Sequence, residues 1–104
     1  MTQEEYKERL LTNRFVDRIQ QEMRVDAAAY HELCLLLRAL AVELKPRQLI
    51  DKELAYALYR IPLVTRNTLE SLLRRLSPTE VCVQMEGAWL ELDALVAHCF
   101  SYGP

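Results

Sequence analysis

The sequence predicts a mainly α-helical small domain with a C-terminal β-hairpin, an all-α bundle being the alternative. Three observations carry this. Two glycines in 104 residues leave little of the turn chemistry that an all-β fold needs. Apolar residues recur at three- and four-residue spacings through most of the chain. The run VCVQMEGAWLEL, Val81 to Leu92, instead alternates about Glu86-Gly87. With 51% hydrophobic residues the chain can build one core, so 1–104 reads as one domain. Residues 1–44 form an N-terminal helical pair, 45–95 a second unit and 96–104 the C-terminal end.

Thr2 followed by Glu5 has the spacing of a capping box, which predicts a helix start. Leu11, Phe15, Ile19 and Met23, with Val16 beside them, then make one apolar stripe that ends near Arg24, while Glu8, Arg14, Arg18 and Gln21 face water. Asp26 caps a second helix, in which only Arg38 and Glu43 are charged between Leu33 and Leu44. A helix so apolar belongs at the centre of a domain. Pro46 ends it. A third helix places Ile50, Leu54, Ala57, Leu58 and Ile61 on one face and stops at Pro62; Thr65 or Asn67 caps a fourth, with Leu69, Leu72, Leu73 and Leu76 inward.

Beyond Ser77 two structures compete. Ser77, Pro78 and Glu80 form a good helix start, and Val81, Met85, Trp89, Leu92 and Val96 fit one helical face. Pairing about Glu86-Gly87 sets Met85 opposite Ala88, Val83 opposite Leu90 and Val81 opposite Leu92, with Cys82, Gln84, Trp89 and Glu91 on the other face. The β-branched pair Val81 and Val83, and a glycine costing a helix about 1 kcal/mol, favour the hairpin. Asp93 then caps a short last helix.

The net charge of −2 gives no global attraction for nucleic acid, but its distribution is uneven. Leu44 to Ser77 holds seven basic and three acidic residues, net +4; Pro78 onward holds four acidic and no basic ones. No apolar run reaches the roughly 20 residues of a membrane span, and the charged N-terminus lacks the apolar core of a secretory signal. Three cysteines without short spacings make no disulfide framework. These features predict a cytoplasmic protein without a membrane partner.

Helix, turn, helix, hairpin, helix is the order of a winged helix, and LAYALYRIPLVTRNTLESLLRRL resembles the second and third helices of that superfamily. The turn at YRIPL is longer than the usual one. The resemblance, over about 45–95, implies a DNA-binding regulator. Thr65, Arg66, Asn67, Thr68 and Ser71 would lead the recognition helix, Arg66 suited to guanine and Asn67 to adenine; Arg74 and Arg75 would hold phosphate, and Gln84 would reach from the wing.

The alternative is an acidic protein-binding module, such as an adaptor, inhibitor or immunity-type protein. Tyr56, Tyr59 and Trp89 are its anchor candidates, because exposed aromatics serve protein interfaces. The DNA-binding reading is accompanied by a homodimer through the N-terminal helices. His31, Cys34, His98 and Cys99 match no common zinc spacing, so no metal is expected. Cys99 beside His98 is poorly placed for nucleophile activation, carboxylates are unpaired and no glycine-rich phosphate loop exists. The expectation is a non-enzymatic protein without a cofactor.

Overall fold

Thr2 opens the first helix as its spacing predicts: its hydroxyl accepts from the Glu5 N–H at 3.2 Å, and the Glu5 carboxylate accepts from the Thr2 N–H at 3.1 Å. The computed structural model describes residues 1–75 and 79–101. Among them are five helices, α1 (Gln3–Thr12), α2 (Phe15–Glu22), α3 (Ala27–Leu44), α4 (Lys52–Arg74) and α5 (Thr79–Cys99), and no strand.

The single N-terminal helix expected from the stripe Leu11, Phe15, Ile19 and Met23 is broken in two. Asn13, buried and extended (ψ 134°), accepts from the Phe15 N–H at 3.0 Å and donates to the Ala29 carbonyl at 3.0 Å. Its amide side chain thus starts α2 and ties the break to α3. The turn delivers Phe15 and Ile19 fully into the core and leaves Leu11 63% exposed. Phe15 lies 5.5 Å from the Tyr30 ring. Met23, left-handed at φ 51°, closes α2.

Asp26 caps α3 by accepting from the Ala29 N–H at 3.1 Å. The helix ends at Leu44, just before Pro46, as expected. Its inner residues Leu33, Leu37 and Leu40 are buried, but Leu35 and Val42 stand in solvent. It is therefore not the fully enclosed central helix its composition predicts.

The expected stop at Pro62 does not occur, and Pro62 lies inside α4. A mid-helix proline withholds one N–H and costs about 3 kcal/mol. Against that cost stands one apolar row, Leu54, Leu58, Ile61, Leu69 and Leu72, which keeps helical phase across the proline and is buried throughout. Each such side chain is worth about 1.5–3 kcal/mol when enclosed. Breaking the helix at Pro62 would turn Leu69 and Leu72 out of register. Thr65 completes the row, fully buried, its hydroxyl donating to the Ile61 carbonyl at 2.7 Å. Leu73, expected to face inward, is 55% exposed.

The same arithmetic overturns the hairpin at 81–92. α5 buries Cys82, Met85, Ala88, Leu92, Val96 and Cys99 on one face, with Met85 and Leu92 completely enclosed. The gain exceeds the roughly 1 kcal/mol that Gly87 costs a helix, whereas a lone two-stranded hairpin is marginal. Glu86-Gly87 is not a turn and Asp93 is not a cap; all three lie within α5. The expected cap at Ser77 and Pro78, and Leu76, fall outside the described residues.

α3 and α4 stand diagonally across the core, with α5 packed between them on one side and α1 and α2 on the other. The result is a four-position bundle, 44 × 24 × 21 Å, whose first position is split at Asn13. Tyr6, Leu10, Phe15 and Ile19 of α1 and α2 are spent in this core, with Leu11 left exposed. The winged-helix order of elements is absent from the described residues.

Continuity of α4 gives a direct expectation for Pro62→Ala. Restoring the N–H and relieving the ring should outweigh the added freedom of the unfolded chain and stabilise the fold by about 1–2 kcal/mol. Thermal or urea unfolding measures it; a lowered midpoint would place a turn at Pro62.

Candidate functional site

The residues expected to meet DNA are distributed along α4 and do not form a helix end. Thr65 is enclosed in the core. Arg66 lies mid-helix, its Nε 3.1 Å from the Glu70 Oε1 and its guanidinium 4.6 Å from the centre of the Trp89 ring. Asn67, Thr68 and Ser71 border a shallow depression of about 280 Å³ that faces Gln20 and Met23 of α2. Arg74 comes within 3.9 Å of the Glu70 carboxylate, and Arg75 donates to the Met23 sulfur at 3.5 Å. Gln84 is exposed on α5, with no wing to carry it. A phosphate-receiving helix start requires free N–H groups, and Arg66 and Asn67 sit where the backbone ladder already uses them.

What α4 and α5 do build together is an apolar groove of about 560 Å³. Tyr59, Pro62 and Leu63 form the α4 wall; Trp89, Ala97 and Phe100 form the other. Tyr59 is 58% exposed, Phe100 49% and Leu63 39%. Arg66 crosses between the walls, stacked on Trp89 and paired with Glu70, so the half-buried indole is held in one orientation. Asp93 stands at the rim. Tyr59 and Trp89 thus share a site, as the anchor assignment requires, while Leu63 and Phe100 are members that sequence reasoning missed. Leu63 sits one helical turn after Tyr59 on the same face, a spacing hidden once Pro62 is read as a stop.

Tyr56 lies apart from them. It borders a second groove of about 640 Å³ between α1 and α4, floored by Leu10, Leu33 and Ile61. Lys7 closes one end, with Glu4 at 2.9 Å, Asp51 at 3.5 Å and Glu53 at 3.7 Å, and the Glu4 bond in particular raises its pKa. Gln3 adds a bond from the Asp51 N–H at 2.9 Å, so this end of the groove is laced to the start of α4.

Across the bundle, Glu91 of α5 joins α3. Its Oε1 accepts from the Tyr30 hydroxyl at 2.7 Å and the Cys34 thiol at 3.2 Å, and Arg38 lies 4.0 Å from the other oxygen. Those donors hold the Glu91 carboxyl below its usual pKa. Burial, then the facing carboxylate, pushes the Cys34 thiol up to about 11; burial alone takes Cys99 to about 11. Both thiols are therefore protonated at neutral pH, which disfavours nucleophilic chemistry. Among the described residues no three His, Cys, Asp or Glu side chains converge as a metal ion would require. No described helix is long and apolar enough to cross a membrane.

Comparisons with protein-family models, with curated proteins and with solved structures find no match to this chain.

The Glu91 tie sets a pH dependence. A carboxyl whose pKa is lower folded than unfolded adds stability above the unfolded value, near 4.3, and that stability disappears as pH falls through the folded value. The Tm advantage of the wild type over Glu91→Ala should therefore be present at pH 7 and shrink below about pH 4. An advantage independent of pH would show that the carboxylate charge contributes nothing.

Proposed function

We propose that this protein is a non-enzymatic, helical protein-binding module that receives its partner in the groove between α4 and α5. The observation that carries this reading is the groove itself: three large apolar side chains, Tyr59, Leu63 and Phe100, stand open to solvent around an indole whose orientation Arg66 and Glu70 already fix. Solvating such a patch is unfavourable, and a partner that covers it recovers that cost. Pre-ordering Trp89 lowers the entropy lost on docking. Aromatic anchors in a semi-enclosed groove are the usual centre of interface energy.

Duplex DNA retains only the basic charge of residues 44–77 in its favour. Arg66 and Arg74 share the Glu70 carboxylate, and Arg75 rests on Met23. Releasing any of them for phosphate carries the loss of an existing contact.

The two readings separate in one experiment, a pull-down from extract of the source cell run beside titration of labelled duplexes at two salt concentrations. A protein retained in fixed stoichiometry should be lost with Tyr59→Ala, by roughly 2 kcal/mol or about thirtyfold in affinity, while Tm is unchanged. Duplex binding whose logarithmic salt slope loses about 0.9 with each of Arg66→Ala and Arg74→Ala would return the function to DNA. Retention indifferent to Tyr59→Ala and Phe100→Ala would remove the groove from the account.

A further inference from the structure

α5 is apolar on two opposite faces, and the bundle uses one of them. The inward face carries Met85, Ala88, Leu92, Val96 and Cys99. Directly opposite, at the alternating four- and three-residue steps of a heptad seam, lie Val83, Gly87, Leu90, Ala94 and Ala97. Val83 is 65% and Leu90 54% exposed, and Gly87, Ala94 and Ala97 are open as well. An outward helix face is ordinarily the polar one. This face spans ~21 Å along the helix axis and holds no charged side chain over those five positions.

Its borders are acidic. Glu86 and Asp93, one heptad apart, run along the side nearer the Trp89 groove, and neither forms an ion pair among the described residues. Gln84, Glu91 and His98 run along the other, where Glu91 faces Arg38. From Pro78 onward the chain offers no lysine or arginine of its own. A Cβ placed on Gly87 would meet nothing within 4 Å, so the fold itself has no steric need for the glycine. The glycine leaves room there for a second helix, because the absence of a side chain lets two backbones approach closely.

We propose that the outward face of α5 docks a cationic amphipathic helix, with apolar residues along its seam and lysine or arginine on the flanks, laid lengthwise over Val83, Leu90 and Ala97. The charges argue against a second copy of this chain. In an antiparallel pair Glu86 would meet Asp93, and in a parallel pair Glu86 would meet Glu91; like charges at flanking positions oppose pairing. The surface shares Asp93 and Ala97 with the edge of the Tyr59 groove but does not use Tyr59, Leu63 or Phe100, so removing those groove side chains leaves it intact.

The probe is a synthetic helix of about three heptads with leucine on the seam, made with lysine flanks and again with glutamate flanks, each titrated into the full chain by fluorescence anisotropy. The lysine peptide should bind at least tenfold more tightly than the glutamate peptide. Leu90→Gln, and independently Ala94→Gln, should weaken it at least tenfold, with Tm unchanged because both positions are exposed. The double substitution Glu86→Gln with Asp93→Asn should abolish the preference between the two peptides, and Tyr59→Ala should alter nothing. Failure of the lysine peptide to bind, equal binding of the two, or indifference to Leu90→Gln overturns the proposal. So does a homodimer in sedimentation that Leu90→Gln dissolves, which would make the occupant a second copy, or adsorption to phosphatidylcholine vesicles that the same substitution removes, which would make it a lipid surface.

Discussion

The helical phase of α4 across Pro62 is the constraint on which the rest of the molecule depends. Leu54, Leu58, Ile61, Thr65, Leu69 and Leu72 occupy one line only if the helix runs on through the proline, and all six are buried. That line gives α5 a single long wall to pack against, with α1 and α2 meeting the other side of α4. Were the chain to turn at Pro62, the second half of the wall would face elsewhere, and Met85 and Leu92 would lose the surface that encloses them. The proline penalty, about 3 kcal/mol, is smaller than the burial of any three of these leucines, roughly 4.5–9 kcal/mol. The continuous wall also sets Tyr59 and Leu63 opposite Trp89 and Phe100, and so creates the groove.

α5 inherits its unusual character from this arrangement. Wedged between α3 and α4, it needs an apolar inner face, and Glu91 fixes its rotation by accepting from Tyr30 and Cys34 on α3. With rotation so fixed, Trp89 and Phe100 must turn toward α4, and Val83, Leu90 and Ala97 must point away from the bundle. The groove and the outward seam are thus two consequences of one orientation. Both border the Asp93 carboxylate, and Glu86 flanks the seam as well; neither forms an ion pair among the described residues, which gives this side of the molecule its acidic character.

Local chemistry was the legible part of the sequence. The Thr2–Glu5 box, the Asp26 cap and the end of α3 before Pro46 depend on residues within a few positions of one another, and all three stand as expected. Tyr56 and Tyr59 lie off the inner stripe as their helical positions indicate, but that position fits packing against the N-terminal helix equally well, and their exposure is settled by the fold. The break at Asn13 was not legible, because it involves neither glycine nor proline; its cause is a side-chain bond to Ala29, sixteen residues away. Pro62 and Glu86-Gly87 misled for the opposite reason. Each is a strong local signal for a turn, and each is outweighed by burial that only the assembled bundle supplies. The phase of Leu54 through Leu72 was visible in the sequence and would have corrected the first. For α5, helix and alternation both fitted, and the exposed seam was concealed because the strand model assigned Val83 and Leu90 to a buried face. The candidate site follows the same division: Tyr59 and Trp89 are candidates on the sequence alone, whereas their placement together, and the absence of a helix start at Arg66, require the fold.

Backbone resonance assignment of the full chain tests the central claim, an unbroken α4 packed on an unbroken α5, in one measurement. Cα secondary shifts should be uniformly positive from Leu54 to Leu72, with no interruption at Ile61 to Thr65, and again from Val81 to Val96. Extended shifts at Pro62 to Thr65, or at Val81 to Met85 and Ala88 to Leu92 with cross-strand contacts about Glu86-Gly87, would contradict it.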